Sequence, residues 1–162
     1  MYIGDAWNMA CWRYVVMEVT VEQNGSQQRN ILFIRHGTTA WNVEKRYLGH
    51  TDIALLTDAE RELASLREQL SNVPTTGLVY CSDLLRCQQT LELIVPNPTG
   101  RVKLDPRLRE IHFGQWEGMT YDQLKHNPQY RDWIDAPQEV TPPGESLGRH
   151  LPRESIHFCK NV

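Results

Sequence analysis

The chain has 162 residues, 40% of them hydrophobic and 23% charged, which are ordinary values for one globular domain. Its net charge of -3 gives no general attraction to nucleic acids or anionic membranes, so any anion site has to be built locally. No stretch approaches the roughly 20 apolar residues of a membrane helix. The 4 cysteines form no CxxC pair, and Asp5 and Arg13 interrupt the apolar stretch that a signal peptide needs. We therefore expect a cytoplasmic protein.

The first predicted element is a half-buried strand near residues 17–21. Met17, Val19 and Val21 alternate with polar residues, and the turn signal Asn24-Gly25 follows. We assign residues 1–30 to an N-terminal extension, which is either an edge strand or a leader of uncertain order. Met17 is also a candidate for the natural start of the chain.

Short apolar runs and helical patterns alternate from residue 31 onward. The run 31–34 is typical of a strand that a parallel sheet buries on both faces. The later segments are a helix from the capping box at 57–60 to Leu70, a strand at 78–81, a helix capped by Ser82 or Asp83 that ends near Ile94, and a strand at 102–104. This order predicts an α/β fold with a mostly parallel sheet flanked by helices. In such sheets, ligands bind beyond the carboxyl ends of the strands.

The first of these strands ends directly in Arg35 and His36. An arginine fork can bind a phosphoryl group bidentately, and a neutral imidazole beside it offers a nitrogen nucleophile. Gly37 would let the backbone pass close to the anion. Further donors in the same loop are Thr38, Thr39 and Asn42.

Two more candidates follow the second and third strands. Arg86 lies in the first turn of a predicted helix, where exposed amides also attract anions. Glu110 stands beside apolar residues that would favour its neutral form, which can donate a proton to a leaving oxygen. The alternatives are a solvated surface arginine for Arg86 and, for Glu110, a surface ion pair with Arg107 or Arg109.

Four motifs in order carry a family resemblance: RHGTTAWN at 35–42, SDLLRCQQT at 82–90, FGQWEG at 113–118 and PPGES at 142–146. Over residues 31–146 the chain resembles the histidine phosphatase superfamily, also called the phosphoglycerate mutase-like family. The resemblance implies that His36 becomes phosphorylated and that Glu110 donates the proton. It implies phosphate binding by Arg35, Asn42 and Arg86, with neither a metal nor a cofactor.

The segment 115–140 is predicted to form a small cap over the pocket. A second capping box begins at Thr120, and Pro128 ends the short helix that it starts. Trp116 and Trp133 either pack within this cap or contact the substrate. The next turns present one apolar face, formed by Tyr130, Trp133 and Ile134. The short segment between Glu110 and PPGES resembles that of α-ribazole phosphatase and broad-specificity phosphatases more than that of the longer glycolytic mutases.

The resemblance breaks at the second histidine of the family, which usually follows a late apolar strand. His150 and His157 lack that context, and Pro152 interrupts the helix that should precede the strand. We therefore expect the fold to be incomplete at its C-terminus, with residues 147–162 an atypical tail from a truncated or frame-shifted ending. The loss of a strand beside the catalytic one would expose an apolar edge. The fold is then either poorly stable or covered by another segment, such as the strand near 17–21.

The sequence predicts a phosphatase that hydrolyses a small phosphomonoester through a phosphohistidine on His36. The first candidate substrate is α-ribazole 5'-phosphate, a reaction of cobalamin biosynthesis; the alternatives are a phosphoglycerate mutase and a sugar-phosphate phosphatase. A further alternative is an inactive pseudoenzyme that binds phosphate esters. A zinc or redox module that uses Cys81, Cys87 and nearby histidines is the third class. The expected partner is a small phosphorylated metabolite, without nucleic acid or membrane, and the oligomeric state is open.

Overall fold

The fold consists of strands and helices that alternate along most of the chain. The computed structural model describes residues 14–23, 26–71, 73, 78–98, 100–137 and 139–145. The elements are β1 (Tyr14–Gln23), β2 (Ser26–Arg35), α1 (Ala40–Val43), α2 (Ala59–Ser71), β3 (Val79–Cys81), α3 (Leu85–Ile94), β4 (Val102–Leu104), α4 (Tyr121–Leu124) and α5 (Pro128–Asp135). Two 3-10 turns lie at Pro106–Leu108 and Gly114–Trp116. The predicted α/β architecture is confirmed.

The strands form a four-stranded sheet in the order β2-β1-β3-β4. β3 and β4 are parallel, whereas β1 is antiparallel to both β2 and β3. Consequently β2, β3 and β4 run in one direction, as predicted for a mostly parallel sheet, and β1 is the exception. The carboxyl ends of β2 and β3 therefore lie at the same edge of the sheet.

β1 occupies the edge of the catalytic strand that the sequence predicts to be vacant. Its pairing with β2 extends from Tyr14 opposite Arg35 to Gln23 opposite Ser26, and it pairs with β3 through residues 15–17. The strand expected at 17–21 is thus longer and confirmed as the segment that covers this edge. The predicted turn at 24–25 lies outside the described residues. Because β1 is antiparallel, its first residues, rather than its last, lie at the carboxyl edge of β2.

A hydrophobic core lies between one face of the sheet and the helices α2 and α3. Val15 and Met17 of β1 are fully buried in it. Burial of a side chain of this size contributes roughly 1.5–3 kcal/mol. The other buried members are Ile34, Leu63, Leu70, Val79, Cys81, Cys87, Leu91, Ile94 and Val95. The N-terminal strand therefore provides side chains to the core as well as backbone hydrogen bonds.

The opposite face of β2 is open among the described residues. Ile31 is 61% exposed and Phe33 is 43% exposed, while Ile34 points into the core. The prediction that the run 31–34 is buried on both faces is therefore wrong. The reason is that α2 and α3 pack on the same side of the sheet as Val15, so β2 alternates between a buried and an exposed face.

A second cluster of aromatic residues packs around α4 and α5. Its buried members are Tyr47, Phe113, Trp116, Leu124, Tyr130 and Trp133. The ring centroids of Tyr47 and Phe113 are 5.0 Å apart in an edge-to-face arrangement, which is favourable for aromatic pairs. Of the two interpretations of Trp116 and Trp133, packing is the one the structure supports. Ile134 is 37% exposed, so its predicted place on the apolar face is wrong.

Helix termini differ from the sequence prediction in two places. The N-cap of α3 is Leu84, not Ser82 or Asp83, and the amide of Leu85 donates to Asp52 Oδ1 at 2.7 Å. A carboxylate from a separate loop thus satisfies this helix end, which local sequence does not reveal. α4 ends before Pro128, which occupies the first turn of α5. No helix in the described ranges has the length and apolarity needed to cross a bilayer.

Candidate active site

A tight loop at the carboxyl end of β2 leads into α1. Thr39 is the N-cap of α1, and its backbone amide donates to Asn42 Oδ1 at 3.0 Å, while its hydroxyl donates to the same oxygen at 2.8 Å. Thr39 is fully buried. Its hydroxyl therefore holds the Asn42 side chain, whose amide NH2 group is the part that can donate to an anion.

A cavity of about 320 Å³ opens at this loop. Its lining consists of Arg35, His36, Gly37, Thr38, Asn42, Val43 and Glu62. Five of the predicted site residues are thus brought together, and Thr39 is not among the lining residues. The volume is at the lower end of the range for small-molecule sites. Nothing in the sequence pattern indicates Glu62, which is one of several acids on the polar side of α2.

The hydrogen bond of His36 defines which ring nitrogen can react. Its side chain is 6% exposed, and Nδ1 lies 2.5 Å from the carbonyl oxygen of Gly37. A carbonyl oxygen only accepts hydrogen bonds, so Nδ1 carries the proton in this arrangement. In the neutral ring, the lone pair is then on Nε2, which is the candidate nucleophile.

Gly37 connects the loop to α3. Its amide donates to Thr90 Oγ1 at 3.0 Å, and that hydroxyl donates to the carbonyl of Arg86 at 2.7 Å. The backbone of Gly37 does not lie in the left-handed region. A Cβ atom there would stand 3.2 Å from Leu63 Cδ1, so close packing against α2 is what favours glycine. Thr90, which belongs to the motif at 82–90, was not singled out by the sequence analysis.

Arg86 is completely buried, which excludes the interpretation of a solvated surface residue. Its guanidinium donates to the carbonyl oxygens of Gly49 at 2.7 Å and Thr51 at 3.1 Å. Among the described residues, Arg86 is not one of those that line the cavity at His36. The structure therefore connects Arg86 to this loop through Thr90 and places its charged group against residues 49–51.

Glu117 holds the segment 49–51 in place. Its carboxylate accepts the backbone amides of His50 at 2.8 Å and Thr51 at 2.6 Å, and also the Thr51 hydroxyl. Burial raises the pKa of the Glu117 carboxyl, but these hydrogen bonds outweigh burial and leave the pKa below its ordinary value. Gly49 is required here, since a Cβ would come within 2.4 Å of the carbonyl oxygen of Ile111. Glu117 belongs to the motif at 113–118, although the sequence analysis gave it no role.

Glu110 is 2% exposed, and the prediction of a surface ion pair is wrong. Arg109 instead donates to Asp83, and Arg107 to Asp105. Glu110 Oε1 accepts the amide of Ile111 at 3.2 Å. Like Arg86, Glu110 is absent from the described lining of the cavity at His36.

His50 contacts both Glu110 and a second imidazole. Its Nε2 donates to the carbonyl oxygen of Glu110 at 2.9 Å, and its ring stacks on His112 with centroids 4.5 Å apart. Burial, and then the neighbouring His112, lower the pKa of His50. The neutral ring with a proton on Nε2 fits the donated hydrogen bond. Residues 49–51 thus contact Arg86 through their carbonyl oxygens and Glu110 through His50.

The cysteines of the described chain are buried thiols. Cys81 and Cys87 are free, and burial raises the pKa of Cys81 to about 12, which keeps its thiol protonated. Within the ranges that the structure describes, no group of three or more His, Cys, Asp and Glu side chains could hold a metal ion. The zinc or redox alternative gains no support from these residues. His150 and His157 lie outside the described residues.

Fold and loop together define an α/β protein with a buried histidine and candidate anion donors at the carboxyl end of a sheet strand. The chain belongs to the histidine phosphatase superfamily (branch 1), whose family model matches residues 31–155. The match begins at the core of β2 and extends past residue 146, at which the motifs end.

Known proteins resemble this chain over part of their length. Phosphoglycerate mutase-like protein 4 of Arabidopsis thaliana is 33% identical over 125 residues, covering 74% of this chain and 54% of that protein. The structure of Bacillus stearothermophilus YhfR aligns with a TM-score of 0.60 at 34% identity, covering 68% of this chain and 56% of that chain. A putative alpha-ribazole-5'-P phosphatase from Escherichia coli aligns with a TM-score of 0.62 at 29% identity, covering 68% and 55%. The chain therefore spans little more than half of each of these proteins.

Proposed function

We propose that the chain is a phosphatase in which His36 attacks a small phosphomonoester. Nε2 of the neutral ring forms a bond to phosphorus while the bond from phosphorus to the alcohol oxygen breaks. Arg35, the side-chain amide of Asn42 and the Thr38 hydroxyl bind the phosphoryl oxygens, and the Arg86 guanidinium adds positive charge. Glu110 donates its proton to the leaving alcohol. The observation that best supports the attack by His36 is the hydrogen bond from its Nδ1 to the Gly37 carbonyl oxygen, because this bond places the lone pair of the neutral ring on Nε2.

Water completes the reaction. It attacks the phosphorus of the phosphohistidine, the ionised Glu110 takes a proton from it, and the bond from phosphorus to Nε2 breaks. Inorganic phosphate is released, and His36 and Glu110 return to their starting forms. For Glu110 and Arg86 to take part, the ester must extend from the cavity at His36 toward the segment 49–51, which both residues contact.

The proposed substrate is a small phosphorylated metabolite, with α-ribazole 5'-phosphate as the first candidate. The likeness to a putative alpha-ribazole-5'-P phosphatase supports this choice. The buried free thiols of Cys81 and Cys87 suit a reducing compartment, so the cytoplasm is the proposed location. No metal or cofactor takes part in the proposed steps.

Two alternatives each have an observation in their favour. A phosphoglycerate mutase, which returns the phosphoryl group to an organic acceptor, is favoured by the resemblance to phosphoglycerate mutase-like protein 4. A pseudoenzyme is favoured by the direction of β1. Because β1 is antiparallel to β2, its first residue, Tyr14, lies beside the carboxyl end of β2, and its last residue does not. Removing one preorganised donor from such a site costs on the order of 3–4 kcal/mol, or about a hundred- to thousandfold in rate.

Hydrolysis of p-nitrophenyl phosphate tests the proposal. We expect turnover by the purified chain and loss of at least roughly a thousandfold in His36→Ala, because the nucleophile is removed. His126→Ala is the matched control. His126 follows α4 in the sequence, is exposed and is not among the residues that line the cavity. Equal rates for wild type and His36→Ala would contradict the proposal. Transfer to an added alcohol instead of water would favour the mutase.

A further inference from the structure

A carboxylate stands inside a cavity otherwise suited to an anion. Glu62 lines the same cavity as Arg35 and His36, although it belongs to α2 and not to the loop. Its Oε2 accepts the backbone amide of Thr38 at 2.9 Å. The position of Glu62 is therefore fixed by one of the amides next to the nucleophile, and its negative charge lies close to the place where a phosphoryl group would bind.

The lining divides into two chemical groups. Arg35, the Thr38 hydroxyl and the Asn42 side chain offer positive charge and N–H or O–H donors, which suit phosphoryl oxygens. Val43 and Glu62 offer an apolar surface and a hydrogen-bond acceptor. When the first group holds the phosphoryl oxygens, a part of the alcohol beyond the ester oxygen can reach the second group.

We propose that Glu62 is a specificity-determining residue that selects phosphate esters of uncharged, hydroxyl-bearing alcohols against esters that carry a second anionic group. This inference rests on the proposed function and specifies its substrate class. A substrate hydroxyl can donate to the Glu62 carboxylate and an apolar part can pack on Val43. A carboxylate or second phosphate at the same place is repelled by Glu62.

The expected discrimination is moderate. Two unit charges several ångströms apart in a partly exposed site interact weakly because water and salt screen them. We expect a preference of roughly three- to tenfold, which shrinks as the salt concentration rises. This dependence on salt distinguishes charge repulsion from a steric effect.

Equilibrium binding of two esters with the same carbon skeleton tests the inference. Glycerol 3-phosphate has an uncharged alcohol part, whereas 3-phosphoglycerate carries a carboxylate. Calorimetric titration of the purified full chain, over a time in which no free phosphate is released, should give the lower Kd for glycerol 3-phosphate. In Glu62→Gln the ratio of the two Kd values should fall roughly three- to tenfold, mainly through tighter binding of 3-phosphoglycerate.

Glu60→Gln is the matched control, because Glu60 lies in the same first turn of α2 but does not line the cavity. It changes the net charge by the same amount and should leave the ratio unchanged. An equal effect of both variants, an unchanged ratio in Glu62→Gln, or no binding of either ester would overturn the inference. Failure of the proposed function would give a different result. The ratio of the two Kd values would then still depend on Glu62, but no phosphohistidine would form on His36.

Discussion

β1 and β2 are neighbours in the sheet, yet they contribute different things to the site. β2 ends in a loop that brings Arg35 and His36 to the cavity, and the family motif begins there. β1 supplies backbone pairing on both sides and the fully buried Val15 and Met17. Because β1 runs in the opposite direction, its carboxyl end at Gln23 lies away from the cavity.

Pairing of a sheet edge and assembly of a site therefore depend on different properties of a strand. A strand of either direction can satisfy the hydrogen bonds of a sheet edge and bury an apolar face. A site at the carboxyl edge additionally requires side chains of suitable chemistry at that edge. β1 meets the first requirement, because it pairs along β2 and buries Val15 and Met17 in the core.

The largest expected effect comes from breaking β1. Met17→Ala removes a fully buried side chain between the sheet and the helices, so we expect a loss of about 2–5 kcal/mol in the free energy of unfolding. Urea denaturation measures this loss. Ile31→Ala on the exposed face of β2 is the comparison and should cost much less. Equal losses would mean that β1 is not part of the core.

A comparable effect, but on rate, is expected at Arg86. Arg86→Lys cannot reproduce two hydrogen bonds to the carbonyls of Gly49 and Thr51, and we expect kcat/KM to fall by roughly a hundredfold. Steady-state kinetics with p-nitrophenyl phosphate measure it. Arg67→Lys on the exposed side of α2 should leave the rate unchanged. A similar rate for both variants would remove Arg86 from the proposed site.

The stability of the chain should depend on pH through Glu117, whose carboxylate holds the segment 49–51. Because the pKa of the Glu117 carboxyl is lowered in the folded chain, its stabilisation is present above the ordinary value of 4.5 and is lost as the pH falls through the folded-state pKa. Glu117→Gln should therefore flatten the decline of stability in acid. Thermal unfolding from pH 7 down to about pH 3 measures this, with exposed Glu139→Gln as the control. Parallel curves for wild type and Glu117→Gln would contradict the assignment.

The smallest expected effect is at the cap of α1. Thr39→Ala removes the hydroxyl that bonds to Asn42 and accepts its amide, and should cost about 0.5–2 kcal/mol. Thr39→Ser retains the hydroxyl and should recover most of the loss. Urea denaturation measures the loss of stability, and steady-state kinetics measure KM. A change in KM with unaffected stability would indicate a substrate contact and contradict the capping role.

Much of the fold follows from local patterns in the sequence. The alternation of apolar runs and helical periods predicts the elements from β2 to β4, and the motif at 35–42 contains five of the seven residues that line the cavity. The direction of β1 cannot be predicted from its sequence, because an alternating apolar pattern fits a strand of either direction. The capping of α3 by Asp52 depends on a contact between distant segments.

Side chains that act through the tertiary structure were the hardest to predict. Glu62 is one of several acids on the exposed side of α2, and nothing in its spacing distinguishes it from Glu60. Its role follows from the packing of α2 against the loop, which brings it to the Thr38 amide. Glu117 was within a recognised motif, but its function depends on the fold of the segment 49–51.

The most direct test of the central claim is a search for a phosphoryl group on His36. The chain is mixed with p-nitrophenyl phosphate, quenched in alkali to preserve phosphohistidine, digested and analysed by mass spectrometry. We predict an acid-labile phosphoryl group on Nε2 of His36 and none in His36→Ala. Turnover without any phosphoryl group on His36 would contradict the account.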